Sequence, residues 1–296
     1  MEPSTVGSLL AKAEIRLAAC GIDCARLESE VLLAHALGVD RGRLAIMLAM
    51  RSGTQQGGAP VDEEHAATFR RLVKRRALRE PLAYLTGVRE FWSLPFEVTT
   101  DVLIPRPETE ILVSRALVLL AGTKRPRIAE VGTGSGAIAV ALAMERPDAE
   151  IVATEISEAA LGVARRNVSR HHAGSRVFLV RADLLGSLAG PFDIVISNPP
   201  YIAHEERSTL MPEVREHEPA GALFAADGGM EVYRRLVPAA AWVLRAGGWL
   251  LMEIASTRAG QTTSLLREPG FWQDVSVVDD YAGLPRVVSA RRMGTR

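Results

Sequence analysis

Apolar residues in the first 88 positions recur three and four residues apart, which is the spacing of an amphipathic helix. The recurrence is clearest over residues 9–17, 25–37 and 69–73. Residues 52–60 interrupt it with glycine, serine, threonine and proline, a composition that predicts a flexible loop. The pattern therefore predicts an all-helical domain over residues 1–88.

The pattern changes close to residue 88, where strand-forming residues become frequent. Residues 91–98 predict a β-hairpin, in which Pro95 must occupy the turn or an edge strand because proline cannot donate to a β-ladder. We expect this hairpin to join two domains, with residues 89–105 as the linker and residues 106–296 as the second domain.

Beyond the hairpin, short apolar runs alternate with helical patterns. The predicted strands are 127–131, 151–155, 177–180, 192–196 and 249–254, and the predicted helices are 137–145, 157–170 and 229–245. Such alternation predicts a parallel, doubly wound sheet with its ligand crevice at the carboxyl ends of the strands. Residues 275–278 and 286–290 predict a closing antiparallel pair.

Length and composition indicate an enzyme-sized globular chain. Its 296 residues leave room for one large and one small domain, and a hydrophobic content of 48% can bury a sizeable core. No apolar run reaches the roughly 20 residues that span a bilayer, and residues 1–4 do not resemble a signal peptide, so we expect a cytoplasmic protein. Lys and Arg total 35 and so do Asp and Glu, so no net field draws the chain to nucleic acid.

The two cysteines, Cys20 and Cys24, lie four residues apart in a stretch with helical spacing. We expect them to be small packing residues rather than a disulfide or a metal site, as suits a reducing compartment. We assign no residue of the chain to a metal.

A basic run from Arg70 to Arg79 carries six Lys and Arg residues on a helical pattern. Two interpretations fit it: a docking face for an acidic or RNA-bound partner, or a solvated helix face. The acidic residues at its flanks favour the second interpretation; they are Asp62, Glu63, Glu64 and Glu80.

The residues after the predicted strand 192–196 form a lip. They include Asn198, Pro199, Pro200 and Tyr201. Proline lacks a backbone N–H and forces the preceding residue into an extended conformation, so the chain leaves the sheet here with free carbonyl groups. The Asn198 side-chain oxygen and the Pro199 carbonyl could together accept both hydrogens of a planar NH2 group, while Tyr201 packs on its flat face. A proline-rich turn that only ends a buried strand is the alternative.

A glycine-rich turn follows the predicted strand 127–131. It consists of Gly132, Thr133, Gly134, Ser135 and Gly136. Glycines allow the backbone to approach a ligand closely, and the start of the next helix offers free N–H groups. The following strand ends in Glu155, where a carboxylate is expected to accept from both ribose hydroxyls of a nucleotide, although capping of the next helix is the alternative. The turn alone does not separate NAD from S-adenosylmethionine.

Together these residues resemble the HemK-like family of release factor glutamine methyltransferases, over nearly the whole chain. Besides the two motifs, the resemblance rests on the segments 80–87, 90–92, 103–110, 218–219, 222–224, 227–229 and 282–287. It implies a class I S-adenosylmethionine-dependent methyltransferase of α/β fold, with a Rossmann-like doubly wound sheet and a small N-terminal all-helical domain joined by a β-hairpin. Two features depart from the family. Glu155 replaces a more usual Asp. Ala255 and Arg258 replace an expected glycine and glutamine, so the resemblance does not determine the conformation of the loop that contains them.

The resemblance also implies a reaction. S-adenosylmethionine would be the cofactor, and the acceptor would be the side-chain amide nitrogen of the glutamine in a Gly-Gly-Gln tripeptide of peptide-chain release factors. Asp183 would accept from the adenine amine and Leu184 would pack on the base, although capping of a turn is the alternative role of Asp183. Asn198 would belong to both the catalytic and the cofactor-binding set.

Rival functions remain open. An adenine-N6 methyltransferase of DNA or RNA would use the same acceptors for an exocyclic amine. A glutamine methyltransferase of a ribosomal protein would share the lip but not residues 105–110, and an NAD-dependent enzyme would leave the lip without a role. For Arg106, Pro107 and Glu108, an ordinary helix start and a lid over the cofactor pocket fit equally well.

Overall fold

The computed structural model describes residues 4–50, 57–268 and 270–294. The chain divides into two compact units. The smaller one comprises the described residues up to Gly87 together with Pro212–His217, and the larger one comprises the rest. Of the predicted loop 52–60, residues 52–56 lie outside the described residues.

The smaller unit is all-helical, as the spacing predicts. Its helices are α1 (Val6–Ala19), α2 (Ala25–Leu37), α3 (Arg41–Ala49), α4 (Glu63–Ala77) and α5 (Leu82–Thr86). Side chains cap three of them: Thr5 accepts from the Ser8 N–H, while Asp40 and Asp62 cap α3 and α4. Apolar side chains on the inward faces form one buried core, including Leu10, Leu17, Leu32, Leu33 and Phe69.

The prediction that Cys20 and Cys24 are packing residues is wrong, because both are exposed. Cys20 follows the last residue of α1 and Cys24 precedes the first residue of α2. Gly21 between them has a φ of +73°, which an α-helix cannot contain. The four-residue spacing therefore spans a turn between two helices rather than one turn of a single helix.

Most of the basic run from Arg70 to Arg79, which begins on α4 and extends beyond it, is neutralised within the smaller unit. Arg70 pairs with Glu63 and Arg75 pairs with Glu80. Arg76 is buried and donates to Glu28 at 2.5 Å and to Glu213 at 3.0 Å. Arg79 also donates to Glu213, at 2.8 Å. These ion pairs agree with the interpretation of the run as a helix face balanced by acids.

The larger unit begins with a hairpin of β1 (Val88–Phe91) and β2 (Leu94–Glu97). Its two-residue turn, Trp92 and Ser93, has φ values of +54° and +57°, which match the twist of the flanking strands. The Trp92 N–H donates to Glu110 and its indole N–H donates to Glu145, each at 2.8 Å, and these bonds hold the turn. Pro95 lies in the edge strand β2. Both strands belong to the larger unit, whereas the sequence suggested a linker over residues 89–105.

The remaining elements include the predicted strands and helices, together with further elements that the sequence did not predict. In chain order they are α6 (Glu110–Leu119), β3 (Arg127–Val131), α7 (Ala137–Glu145), β4 (Glu150–Glu155), α8 (Glu158–Arg170), β5 (Val177–Arg181), β6 (Phe192–Ser197), β7 (Ile202–Ala203), α9 (Pro212–His217), α10 (Ala220–Leu223), β8 (Phe224–Ala225), α11 (Ala226–Gly229), α12 (Glu231–Val243), β9 (Leu244–Glu253), α13 (Ala259–Arg267), β10 (Trp272–Asp279) and β11 (Pro285–Arg292). Of these, α9 packs with the smaller unit. The single turn α11 contains two residues with positive φ.

One seven-stranded sheet organises the larger unit, in the order β10-β11-β9-β6-β3-β4-β5. The five strands from β9 to β5 are parallel, and β11 and β10 close the sheet as the expected antiparallel pair. The fold class is therefore confirmed. Strand β9 starts at Leu244, five residues before its apolar run, because Leu244 already pairs with Phe192 ahead of a register shift, after which Trp249 pairs with Ile194.

Apolar side chains cover both faces of the sheet. Ile128 and Ile194 lie in the core formed with α6, α7 and the hairpin, whereas Ala129 and Val195 lie in the core formed with α12. Neighbouring residues point to opposite faces of a strand, so a strand buried on both faces is continuously apolar. Among the described residues, no helix is long and apolar enough to cross a membrane.

Candidate active site

The site lies where the parallel strands end. Strand β3 pairs with β4 on one side and β6 on the other, so Val131 lies opposite both Thr154 and Ser197. This register places the glycine-rich turn, Glu155 and the Asn198 lip at one edge of the sheet. Together they line a cavity of about 530 Å³.

The glycine-rich turn is held by backbone contacts. The N–H groups of Gly132 and Thr133 both donate to the Thr154 carbonyl, at 2.9 and 3.0 Å. Gly132 and Gly134 have φ values of +72° and +54°, and no atom lies within 4 Å of where their Cβ would be. The glycines are therefore needed for backbone conformation, and they leave open space beside the turn. Gly136 is the N-cap residue that precedes α7, and it does not line the cavity.

Glu155 joins two loops at the cavity wall. Its Oε2 accepts from the Gly134 N–H and its Oε1 from the Ser157 N–H, both at 3.0 Å. Ser157 itself caps α8, so Glu155 is not needed for that role. Each carboxylate oxygen has a second lone pair, so Glu155 retains the capacity to accept from a ligand.

Asp183 and Leu184 lie on the cavity wall as well. One carboxylate oxygen of Asp183 accepts from Arg235 at 2.5 Å. Leu184 has a φ of +51°, a left-handed conformation that costs free energy for a leucine and occurs mostly where surrounding structure enforces it. The surrounding structure therefore fixes Leu184 in this conformation on the cavity wall, and its packing on a base stays a prediction.

Asn198, Pro199 and Pro200 line the cavity, directly after the last residue of β6. The Asn198 Nδ2 donates to the Thr109 hydroxyl at 3.2 Å. In the described part of the chain, no donor reaches the Asn198 Oδ1 or the Pro199 carbonyl. Both oxygens are therefore available as acceptors, and their joint action on one NH2 group stays a prediction.

Tyr201 does not line the cavity. Its ring packs against the core around α12, and its hydroxyl donates to Glu253 Oε1 at 3.2 Å. Burial, and then the charge of Glu253, raises the pKa of the Tyr201 hydroxyl above its ordinary range. The expected contact of Tyr201 with the flat face of the substrate is thus not what the structure shows.

Thr109 and Glu253 are polar site residues to which the sequence assigned no role. The Thr109 hydroxyl donates to Glu253 Oε2 at 2.6 Å, and both side chains are buried. Burial raises the pKa of the Glu253 carboxyl. One signal could have found Glu253: like Glu155, it is a carboxylate that ends an apolar strand at the ligand edge of the sheet.

Residues 106–108 form an ordinary helix start, and the role of a lid over a cofactor stays a prediction. Pro107 begins a short 3-10 helix, Pro107–Thr109, that leads into α6. Arg106 lines the cavity and donates to the buried Glu218 at 2.6 Å. The helix start therefore also contributes to the cavity wall, through Arg106 and Thr109.

Hydrogen bonds from Arg258 hold the loop that contains Ala255 and Arg258. Its buried Arg258 donates to the Gly228 carbonyl at 2.8 Å and to Glu206 at 2.7 Å. A Cβ on Gly229 would lie 2.2 Å from the Tyr201 carbonyl oxygen, which no side chain could tolerate. The loop therefore packs tightly behind the lip.

Glu130 is a buried carboxyl beside the glycine-rich turn. Its Oε2 accepts from the Thr133 hydroxyl at 2.8 Å, and its Oε1 has no partner among the described side chains. Burial raises the pKa of Glu130 to about 8, and the nearby charge of Glu155 adds to the shift. The described residues contain no cluster of His, Cys, Asp and Glu suited to a metal ion.

Two family models place the chain among the methyltransferases. Residues 108–217 match the methyltransferase small domain family, and residues 8–87 match the PrmC N-terminal domain family. A methyltransferase from Pyrococcus furiosus has a similar fold, with a TM-score of 0.51 at 21% identity, covering 75% of this chain and 99% of that chain.

Curated relatives narrow the class to one family. A release factor glutamine methyltransferase of Geobacter sulfurreducens is 42% identical over 279 residues, 93% of this chain and 92% of the relative. That of Moorella thermoacetica is 42% identical over 289 residues, 97% of this chain and 99% of the relative. The chain belongs to the release factor glutamine methyltransferase family, whose members are protein-glutamine N-methyltransferases.

Glu130 predicts a pH dependence of stability. Between its ordinary pKa of 4.5 and about 8, the folded state keeps a proton that the unfolded state releases. The free energy of unfolding should therefore fall as the pH rises through this window, by at most about 1.4 kcal/mol per pH unit. Glu130→Gln should remove this contribution, as urea unfolding at a series of pH values would measure. Equal slopes in the wild type and the variant would contradict the raised pKa.

Proposed function

We propose that this chain transfers the methyl group of S-adenosylmethionine to the side-chain amide nitrogen of the glutamine in the Gly-Gly-Gln tripeptide of peptide-chain release factors. The observation that carries the proposal is the acceptor pair on the cavity wall, the Asn198 Oδ1 and the Pro199 carbonyl. Membership of the family supports the release factor as the protein substrate.

The cavity residues fit the cofactor. The open space beside Gly132 and Gly134 admits a ligand close to the backbone, and Glu155 can accept from ribose hydroxyls. Asp183 has a second carboxylate oxygen available for an adenine amine, and Leu184 lies beside it. When bound, S-adenosylmethionine supplies an electrophilic methyl group on a sulfonium.

The lip would act on the nucleophile. An amide nitrogen is a poor nucleophile because its lone pair is delocalised into the carbonyl group. Two acceptors that bind its two hydrogens favour a pyramidal nitrogen and direct the remaining lobe along one line of attack. A strong general base is not required before transfer, because the N–H becomes acidic only when the new N–C bond forms.

Specificity for a release factor must come from surface outside the pocket, because an acceptor pair for one amide would take any exposed glutamine. We propose that the helical unit supplies part of this surface. The basic run on α4 is a weak candidate for the contact, since Arg70, Arg75, Arg76 and Arg79 already have acidic partners. The exposed Arg71 and Lys74 are the better candidates on that helix.

The substrate can be tested in cells and in solution. Mass spectrometry of release factors from cells lacking this chain should show loss of one methyl group on the Gly-Gly-Gln tripeptide. The purified protein should methylate an intact release factor, and it should methylate a Gly-Gly-Ala variant of that factor not at all. A free Gly-Gly-Gln peptide should be a poor substrate because it lacks the docking surface. Methylation of DNA, RNA or a ribosomal protein in place of the release factor would contradict the proposal.

The cofactor can be tested by calorimetry. Glu155→Ala should weaken S-adenosylmethionine binding by roughly 10- to 100-fold, because it removes charge-assisted hydrogen bonds. Gly134→Val should abolish binding, since valine disfavours a φ of +54° and its side chain would fill the open space. Glu155→Gln, which keeps an acceptor oxygen, is the control and should bind with intermediate affinity. Tight binding of NAD without binding of S-adenosylmethionine would overturn the cofactor assignment.

Asn198→Ala tests the acceptor pair. Loss of an acceptor aimed at the reacting group should lower turnover about 100-fold or more. The affinity for S-adenosylmethionine should change much less, because the glycine-rich turn and Glu155 are intact. Turnover is measured with saturating release factor and calorimetry gives the cofactor affinity. A variant that methylates at the wild-type rate would show that the lip is only structural.

A further inference from the structure

A chain of polar contacts runs behind the acceptor lip, within the larger unit. The Asn198 Nδ2 lies 3.2 Å from the Thr109 Oγ1, which lies 2.6 Å from Glu253 Oε2. The other carboxylate oxygen of Glu253 lies 3.2 Å from the Tyr201 hydroxyl. Thr109 and Glu253 are 144 residues apart in sequence, so only the folded chain brings them together.

The direction of these hydrogen bonds is determined by the carboxylate at their centre. An ionised carboxylate can only accept, so both Thr109 and Tyr201 donate to Glu253. The 2.6 Å separation of the Thr109 and Glu253 oxygens is typical of an O–H donating to a carboxylate. A hydroxyl has only one hydrogen, so the Thr109 oxygen can only accept from Asn198.

The consequence is a single orientation of the Asn198 side-chain amide. Only its NH2 group can donate to Thr109, so its Oδ1 must occupy the other position, where no donor of the described chain reaches it. Rotation of the amide by half a turn would bring its carbonyl oxygen against the Thr109 oxygen, with two acceptors in contact and no hydrogen between them. It would also present an NH2 group to a substrate NH2 group.

We propose that Thr109 and Glu253 are positioning residues that hold the Asn198 amide with its oxygen toward the substrate. The inference rests on the proposed function, since it assumes that Asn198 accepts from the methylated nitrogen. A fixed Asn198 Oδ1 makes the site selective for substrates that donate a hydrogen bond. An amide or amine NH2 group can donate to this oxygen, whereas a group that has only acceptors cannot.

The surroundings of Glu253 suit this role. The charged and titratable groups that act on it are Arg286, Tyr201 and Glu108, besides the hydroxyl of Thr109. The Arg286 guanidinium donates to Asp280 at 3.0 Å, and this ion pair fixes the position of the cation near the Glu253 carboxylate. Burial raises the pKa of Glu253, while the Thr109 hydroxyl and the Arg286 charge oppose the rise and favour the ionised form.

Paired threonine variants provide the experiment. Thr109→Val keeps the shape and removes the hydroxyl, whereas Thr109→Ser keeps the hydroxyl. Thr109→Val should lower kcat by about 10-fold, as expected for loss of one oriented hydrogen bond, and Thr109→Ser should stay within about 3-fold of the wild type. The affinity for S-adenosylmethionine should be the same in all three proteins. Thr262→Val, which removes another buried hydroxyl on α13, is the stability control and should leave kcat unchanged.

Combining Thr109→Val with Asn198→Ala distinguishes a positioning role of Thr109 from a general effect on the structure. If Thr109 acts through Asn198, Thr109→Val should have no further effect on kcat once Asn198 is alanine. Glu253→Gln should also lower kcat, because a glutamine can donate to Thr109 and release the threonine hydroxyl toward the Asn198 oxygen. Independent losses in the double variant, or wild-type kcat in Thr109→Val, would overturn the inference.

Failure of this inference can be distinguished from failure of the proposed function. The variants are assayed on the substrate that the wild type methylates, whether a release factor, a ribosomal protein or a nucleic acid. If the wild type is inactive on release factors, the proposed substrate is overturned. Thr109→Val and Thr109→Ser then test the inference on whichever other substrate donates the NH2 group that is methylated. An active wild type with an unaffected Thr109→Val variant overturns the inference alone.

Discussion

The pairing of β3 with both β4 and β6 is the constraint on which the site depends. Since Val131 lies opposite Thr154 and Ser197, three strands end at the same level and their following loops become neighbours. The glycine-rich turn then donates to the carbonyl at the end of β4, and Glu155 accepts from the turn. A shift of one residue in either pairing would turn every side chain of that strand to the opposite face and separate the loops.

Two buried carboxyls mark the ligand edge of this sheet, and hydroxyl donors accompany both. Glu130 accepts from Thr133, and Glu253 accepts from Thr109 and Tyr201. Burying a carboxylate costs free energy unless donors replace its water. Burial raises the pKa of both groups. Glu253 has two hydroxyl partners and a nearby arginine, and this makes it suited to act as a fixed acceptor that orients its neighbours.

The smaller unit uses charge for internal cohesion. Arg76 is buried between carboxylates of α2 and α9, so a residue that looks like part of a solvated basic face in fact joins three segments of the chain. Removing one partner of such a buried pair leaves an uncompensated charge, which is more costly than the pair itself is stabilising. The surface of the basic run from Arg70 to Arg79 that is open to a partner is therefore smaller than its six basic residues suggest.

Local sequence was sufficient for much of the fold and of the site. The period of the apolar residues determined the helical unit, the strand order along the chain and the closing antiparallel pair, because side-chain spacing reflects local backbone geometry. The glycine-rich turn, Glu155 and the Asn198 lip were predictable for the same reason: each lies at the carboxyl end of an apolar strand. Tertiary structure alone decided which way Tyr201 points, that Thr109 and Glu253 meet behind Asn198, and that Arg76 is buried. Those contacts join residues between 48 and 144 positions apart, and no local pattern of spacing records them. The exposure of Cys20 and Cys24 was missed for a related reason, because one glycine in the left-handed conformation ended a helix that the spacing alone would have continued.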